Sequence, residues 1–523
     1  MQGRKDIQPK MMYQVNINEL VGSDNFYRKL SQTLDLTFLY KATAPYYGSE
    51  GQESIDPVVF FKICLIGYLN NINSDRRLIA YCSNCIDVRW YLKYDIDEEL
   101  PWHSTISRTR QLYGEDVFLS LFQKVLSLCI EKGMLRGKRQ AIDSAYIKAN
   151  ASMDSLLEKE IIDDVSDYAN ELNEGSEYKV KASIKKAVDR HHAWKKEEYK
   201  SMPGHVDNPK QVDENGILIR PKFLSNHTHY SPTDPDSKIS TKPGKARQLN
   251  YAGQIAVDDA HHVITGACAS SAGNKGSQNM SEILHQTINN LKQHHITIQE
   301  ITADAGYSSG ESLAFCEQNN IDAYIPNFGQ YKSEREGFEY NQELNQYECK
   351  KENGNKAILS FKGIKTDSKG YQKKSYRSSE TDCKNCPLRL NCCGVATKFK
   401  KIEDSIDKPY YDRMHQKLTS KADYARKIKK IRSRTVEPVL GTLINFLNMK
   451  RVNTRGMKNA NKHVLMSALA YNLKKLMKFS RKTEVTNCHS IAKIEANGFF
   501  CLFKHIKSYY LIFKPFYFLP KIT

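Results

Sequence analysis

The sequence predicts an α/β protein, a mixed sheet flanked by helices, with an all-helical region before it and insertions within it. Three observations carry the prediction. Helical period alone runs from about Asn16 to Gly137, strand-like and helix-like segments alternate from Lys138 to about residue 327, and helical period returns at Val436. At ~150 residues per unit, 523 residues make roughly three or four units. They read as a helical domain over 1–137, a core over 138–327 with an insertion over 153–247, a Cys-rich insertion over 328–425, closing helices over 426–480 and a tail over 481–523.

Each element has a local reason. Asp56 is placed to cap a helix and Pro57 suits its first turn, ahead of the apolar run Val58 to Ile66. A second helix is expected from Ser74. Apolar residues at 118, 121, 122, 125, 126 and 129 give a period near 3.6 and one buried stripe. Arg76, Arg77, Arg89, Arg108 and Arg110 are scattered through these helices, either for DNA-end recognition or as solvated faces.

Arg139 to Ile147 reads as a strand with Asp143 inside it. Leu156, Leu157, Ile161, Ile162 and Val165 then have helical spacing, and a Pro-, Asp-, Ser- and Lys-dense loop runs to about Arg247. Tyr251 to Asp258 and Val263 to Ala269 suit a hairpin around Asp259, Ala260, His261 and His262. A helix over about 278–293, a strand over 298–303 ending at Asp304, a helix over 311–319 and a strand over 321–326 complete the mixed sheet. Beyond the Cys-rich stretch, Val436, Leu440, Leu443 and Leu447 mark one helix and residues 459–479 a second, joined by the basic link Lys450 to Lys458.

Composition narrows the function. Lys and Arg number 78 against 59 Asp and Glu, so the net charge of +19 points to a polyanionic partner. No continuous apolar segment suits a signal peptide or a membrane span, since Lys62 interrupts the run Val58 to Leu69; a cytoplasmic protein without membrane contact is expected. Thirteen cysteines are too sparse for a secreted disulfide scaffold, so close-set ones are read as metal ligands. No glycine-rich nucleotide loop is present, and no nucleotide cofactor is expected.

Asp143 inside a strand, Asp304 at the end of a later strand and Glu437 near a helix start are three carboxylates in separate settings. Side chains from one strand's middle and its neighbour's end converge on one sheet edge, where hard divalent cations take oxygen ligands.

Around these residues the sequence resembles the insertion-sequence transposases of the DDE type. The matching segments are Ile142 to Ser152, Asp234-Pro235-Asp236, Tyr251 to Asp258, Ala303-Asp304-Ala305-Gly306-Tyr307, Arg434 to Gly441, Arg451 to Gly456, Ala470 to Leu476 and Ser54 to Pro57, covering nearly all of residues 15–480. The resemblance implies a ribonuclease H-like catalytic domain with Asp143, Asp304 and Glu437 as catalytic triad and metal ligands. It implies DNA strand cleavage and strand transfer with Mg²⁺ or Mn²⁺, double-stranded DNA as partner (element ends and target) and a homodimer on DNA. One departure accompanies it: many relatives have a Lys seven positions after the Glu, where this chain has Ile444, and Arg434 lies three positions before Glu437 rather than four.

Cys383-Lys384-Asn385-Cys386, Cys392 and the upstream Cys349 make a candidate zinc set, with Cys393 as substitute for Cys392; similar transposases have such a cluster. Free thiols are the alternative. Cys82 and Cys85 repeat the spacing without a second pair and read as core. Arg432, Arg434, Lys450, Arg451, Arg455, Lys458 and Lys462 flank Glu437 and are the expected DNA contacts. A metal-dependent nuclease that cuts without joining, and a zinc-containing DNA-binding regulator, are the competing readings.

Overall fold

The computed structural model describes residues 14, 16–48, 50, 54–158, 225–226, 228–240, 246–329, 331–352, 354, 356–367, 370–395 and 397–479. Most of the insertion expected over 153–247 and the tail expected over 481–523 lie outside the described residues.

Eight helices open the chain: α1 (Ile17–Leu20), α2 (Phe26–Thr33), α3 (Phe38–Thr43), α4 (Pro57–Leu69), α5 (Asp75–Asn84), α6 (Ile86–Leu92), α7 (His103–Leu112) and α8 (Glu115–Glu131). The Asp56 side chain accepts from the amides of Val58 and Val59, and Pro57 stands at the first turn of α4, as its sequence predicts. Ser74 caps α5 through the Arg77 amide. Buried Arg110 makes a bidentate pair with Asp75 at 2.9 and 2.7 Å, and Arg89 donates to the carbonyls of Ser83 and Glu98; both tie the bundle together. Arg76, Arg77 and Arg108 are exposed.

The sheet follows. Its strands are β1 (Arg139–Lys148), the short ribbon β2 (Leu157–Glu158) with β3 (His229–Tyr230), then β4 (Lys238–Ser240), β5 (Gln248–Asp258) and β6 (Ile264–Ser271). Leu156 and Leu157 thus lead into a strand rather than the expected helix, because Leu157 and Glu158 pair with Tyr230 and His229. Helix α9 (Met280–Lys292), β7 (Glu300–Thr302), α10 (Gly310–Gln318) and β8 (Asp322–Tyr324) complete the unit. The order is β4-β5-β1-β7-β8, with β6 also on β5. β5 runs antiparallel to β1 and to β6, while β7 and β8 continue parallel to β1.

The Cys-rich segment forms a second sheet that its polar sequence did not announce: β9 (Phe338–Asn341), β10 (Gln346–Cys349), β11 (Ile358–Thr366), β12 (Gln372–Ser378) and, after the short helices α11 (Glu380–Lys384) and α12 (Arg389–Cys393), β13 (Lys401–Ser405). Every pairing in it is antiparallel. Helix α13 (Lys408–Ser420) then returns to the main sheet and buries Met414 in the core around Ile142 and Ile301. Helix α14 (Ala422–Phe446) begins 14 residues before the expected Val436 and holds Pro438 inside it. A last helix, α15, spans 457–479.

Strand alternation sorts the two faces. Ala141, Ala145 and Ile147 of β1 join one core with α4, α8, α14 and α15, while Ile142 faces the other with α9 and α10. The opening helices therefore share a core with the sheet. Polar ties reinforce the seam: buried His463 accepts from the Tyr68 hydroxyl at Nδ1 (2.7 Å) and donates from Nε2 to the Asn448 carbonyl (2.9 Å). Burial and the charge of Arg110 push its pKa down to about 4. Among the described residues, no helix is long and apolar enough to cross a membrane.

Candidate active site

The site begins at a split in the sheet. β7 is registered on β1 only as far as the pair Ala141–Thr302. At the far end of β1, Lys148 pairs with Arg451, through bonds from the Lys148 amide to the Lys450 carbonyl and from the Val452 amide to the Lys148 carbonyl. Between these two pairings the edge of β1 is left to side chains, and Asp143 projects there.

Asp143 shares the strand face of Ala141 and Ala145, the face packed by α14. Asp304 lies two residues past Thr302, the last residue of β7 registered on β1. Asp304 ends its strand segment by accepting from the Gly306 amide at 3.0 Å, and is exposed. Beneath it, buried Tyr307 donates to Gln254 of β5 at 2.5 Å, which fixes the turn. The two carboxylates are near enough to act on each other. Burial raises the Asp143 pKa most and the charge of Asp304 raises it further, while the Ser144 amide and the Arg432 guanidinium lower it. Arg432, from α14, donates to Asp143 Oδ2 at 2.8 Å.

Glu437 lies on the same helix as Arg432, exposed, one residue before Pro438. That proline removes the amide that would bond the Arg434 carbonyl, weakening α14 next to the carboxylate. Among the described residues, no three His, Cys, Asp or Glu side chains close around one point in metal-ligand fashion. Asp143 and Asp304 are thus brought together, and Glu437 stands apart from the pair.

The expected DNA-contacting residues divide. Arg434, Lys450, Arg451, Arg455 and Lys458 are exposed, four of them on the segment that docks beside β1. Gly253 makes that docking possible, since a Cβ there would lie 2.5 Å from Met449 Cε and 2.8 Å from Ile147 Cδ1. Lys462 differs: it is buried, donates to the Arg110 carbonyl at 3.0 Å and has its pKa lowered by burial, so it joins α15 to α7 rather than facing solvent. His261 is exposed and His262 takes a left-handed turn conformation, as a hairpin tip requires.

Cys349, Cys383, Cys386, Cys392 and Cys393 line one cavity of about 20 Å³, room for a single ion or water. Cys383 Sγ lies 3.1 Å from Ser378 Oγ, and Cys393 is raised to about 11 by burial and by neighbouring Cys392 and Cys383. Cys82 is buried on α5, as expected of a core residue.

Residues 15–112 match a family model described as a transposase domain (DUF772), and residues 349–477 match one described as a transposase DDE domain. Both matches are to transposase domains and together support a DDE-type insertion-sequence transposase. The second match includes Glu437, Arg432 and the five clustered cysteines, while Asp143 and Asp304 lie outside both matches. No curated protein matches the transposase.

Two features of this transposase were not legible as contacts in its sequence. Asp234 and Asp236 hold the start of α15: Asp234 Oδ1 accepts from the Gly456 amide at 3.1 Å and from Tyr251 at 2.5 Å, and Asp236 accepts from the Met457 amide at 2.8 Å. Gly456 adopts a φ of 86° at this junction. The other feature is the Arg432–Asp143 pair, which spans 289 residues and leaves no local signal.

Proposed function

We propose that the chain binds insertion-sequence ends and catalyses metal-dependent DNA strand cleavage and strand transfer, with Asp143, Asp304 and Glu437 as ligands of two Mg²⁺ or Mn²⁺ ions. The observation that carries this reading is the approach of Asp143, inside β1, to Asp304, two residues past the end of the parallel neighbour β7, near enough for the charge of one to act on the other. Two like charges set side by side and countered by one guanidinium form an oxygen-donor site with surplus negative charge, which fits a hard divalent cation. The mixed strand order, antiparallel on one side of β1 and parallel on the other, supports a ribonuclease H-like core.

Bound at these carboxylates, the ions would favour deprotonation of the attacking water or 3′-hydroxyl and offset charge on the leaving oxygen. The chain supplies the rest. β1 and the Tyr307-anchored turn hold Asp143 and Asp304 fixed, and Glu437 on α14, which stands apart from the pair, would complete the ligand set as metal and DNA bind. Arg434, Lys450, Arg451, Arg455 and Lys458 would neutralise backbone phosphates beside that edge, giving salt-sensitive binding that positions rather than reads the duplex. Exposed Arg76, Arg77 and Arg108 are available for the same role.

Cys349, Cys383, Cys386 and Cys392, with Cys393 beside them, are soft donors lining one small cavity without closing on one point, and a structural Zn²⁺ would have to draw four of them together. Pairing of two element ends implies two copies of the chain on DNA. The test is an assay with a labelled duplex carrying one element end and a target plasmid. Mg²⁺-dependent nicking followed by joined product is expected. Nicking without joining indicates a nuclease, and tight binding without nicking a regulator.

A further inference from the structure

We propose that Arg432 is the resident counter-ion of the carboxylate edge: its guanidinium holds on Asp143 the position a divalent cation takes, and moves to a DNA phosphate when metal and DNA bind. The proposal rests on the reading of Asp143 and Asp304 as metal ligands, and it adds a step that couples the two ligands.

Both oxygens of Asp143 are engaged. Oδ1 accepts from the Ser144 amide at 2.8 Å and Oδ2 from Arg432 at 2.8 Å. The amide is fixed in β1, but the guanidinium ends a flexible side chain, so it is the partner that yields. The pair is not a loose surface contact, because its side chains are only 14% and 18% exposed and salt screens it weakly. Arg432 is the charged group that hydrogen-bonds Asp143 beside the like charge of Asp304; the other bonds to the two carboxylates come from the neutral amides of Ser144 and Gly306.

Displacement has a direction. A cation at Asp143 repels the guanidinium, and Arg432 sits on α14 among exposed Lys429, Lys430 and Arg434, where a phosphate backbone would receive it. Metal binding then improves DNA binding and, by linkage, DNA binding improves metal binding by the same factor.

The experiment measures Mn²⁺ binding to the purified full chain by electron paramagnetic resonance, with and without a short duplex oligonucleotide. Without DNA, R432Q is expected to bind Mn²⁺ roughly tenfold more tightly than wild type, the scale of one charge-assisted hydrogen bond. R426Q removes the same charge from the start of α14, where it pairs with exposed Asp423, and is expected to leave Mn²⁺ affinity unchanged. Adding duplex should tighten Mn²⁺ binding in wild type and not in R432Q. Equal or weaker Mn²⁺ binding by R432Q, or duplex coupling that survives in it, overturns the counter-ion role. A D143N chain that binds Mn²⁺ as wild type does overturns the ligand assignment itself, whatever R432Q shows.

Discussion

The carboxylate edge and the cysteine sheet sit in the same chain but are held in different ways. Asp143 stands on a strand, and Asp304 just past the end of its neighbour, in a sheet packed from both faces, between one core that includes α4, α8, α14 and α15 and another that includes α9 and α10. The cysteines belong to a sheet whose own buried core is Tyr347, Leu359, Tyr376 and Ile402. A core that small supplies little folding energy, so a bound metal or neighbouring contacts must add to it. The large core needs no ion to set its carboxylates in place. On the proposed reading, an ion at the first site would serve chemistry and one at the second would serve folding.

That contrast is broken most directly by neutralising the carboxylates. D143N and D304N should each lower Mg²⁺-dependent strand cleavage by roughly a thousandfold or more, because each removes a ligand whose charge the ions require. Thermal unfolding and mobility-shift affinity for DNA should stay near wild type. A large loss of stability would mean that the edge is structural.

At the cysteine sheet the pattern should invert. Elemental analysis is expected to find about one zinc per chain, lost in a C383S/C386S double variant. Protease sensitivity should then rise within residues 338–405 while the main sheet stays protected. Zinc-free protein with the same protection would make these cysteines ordinary thiols.

The seam between the opening helices and the sheet allows a finer comparison. His463 is neutral in the fold, its pKa depressed to about 4 from 6.5, so the unfolded chain takes up the proton first as pH falls. Stability from this group is present above about pH 6.5 and is lost towards pH 4, by on the order of 3 kcal/mol. Urea unfolding of wild type and H463Q across that window should show the difference shrinking as pH drops. A constant difference would contradict the neutral, hydrogen-bonded histidine.

The smallest expected effect separates two lysine settings on one helix. K462M should leave DNA affinity and its salt dependence unchanged, whereas R455A and K458A should each weaken binding and reduce the salt slope by about one. Weaker DNA binding by K462M would return Lys462 to the DNA surface.

Much of this was legible in sequence. The cap at Asp56, the 3.6-residue stripe of α8, the hairpin of β5 and β6 and the strand position of Asp143 all follow local patterns and form where the pattern puts them, while the strand before Asp304 is shorter than expected, Glu300–Thr302, and leaves Asp304 in the turn after it. The Cys-rich sheet was not legible, because its strands lack apolar alternation: β11 buries only Leu359 among nine residues. Lys462 was misleading for the opposite reason. Its helix is buried on nearly every side from residue 460 to 473, so a lone charge there faces protein. The Arg432–Asp143 pair depends on how a late helix lands on an early strand, which no local spacing encodes.

The central claim is that carboxylates distant in sequence share bound cations at the open edge of β1. Its most direct test replaces Mg²⁺ with Fe²⁺ in the DNA-bound protein and adds ascorbate and peroxide, so that radicals cut the backbone beside the ion. The expected fragments end near residues 143, 304 and 437 and disappear in D143N. Cuts confined to other segments, or a pattern indifferent to D143N, would contradict the account.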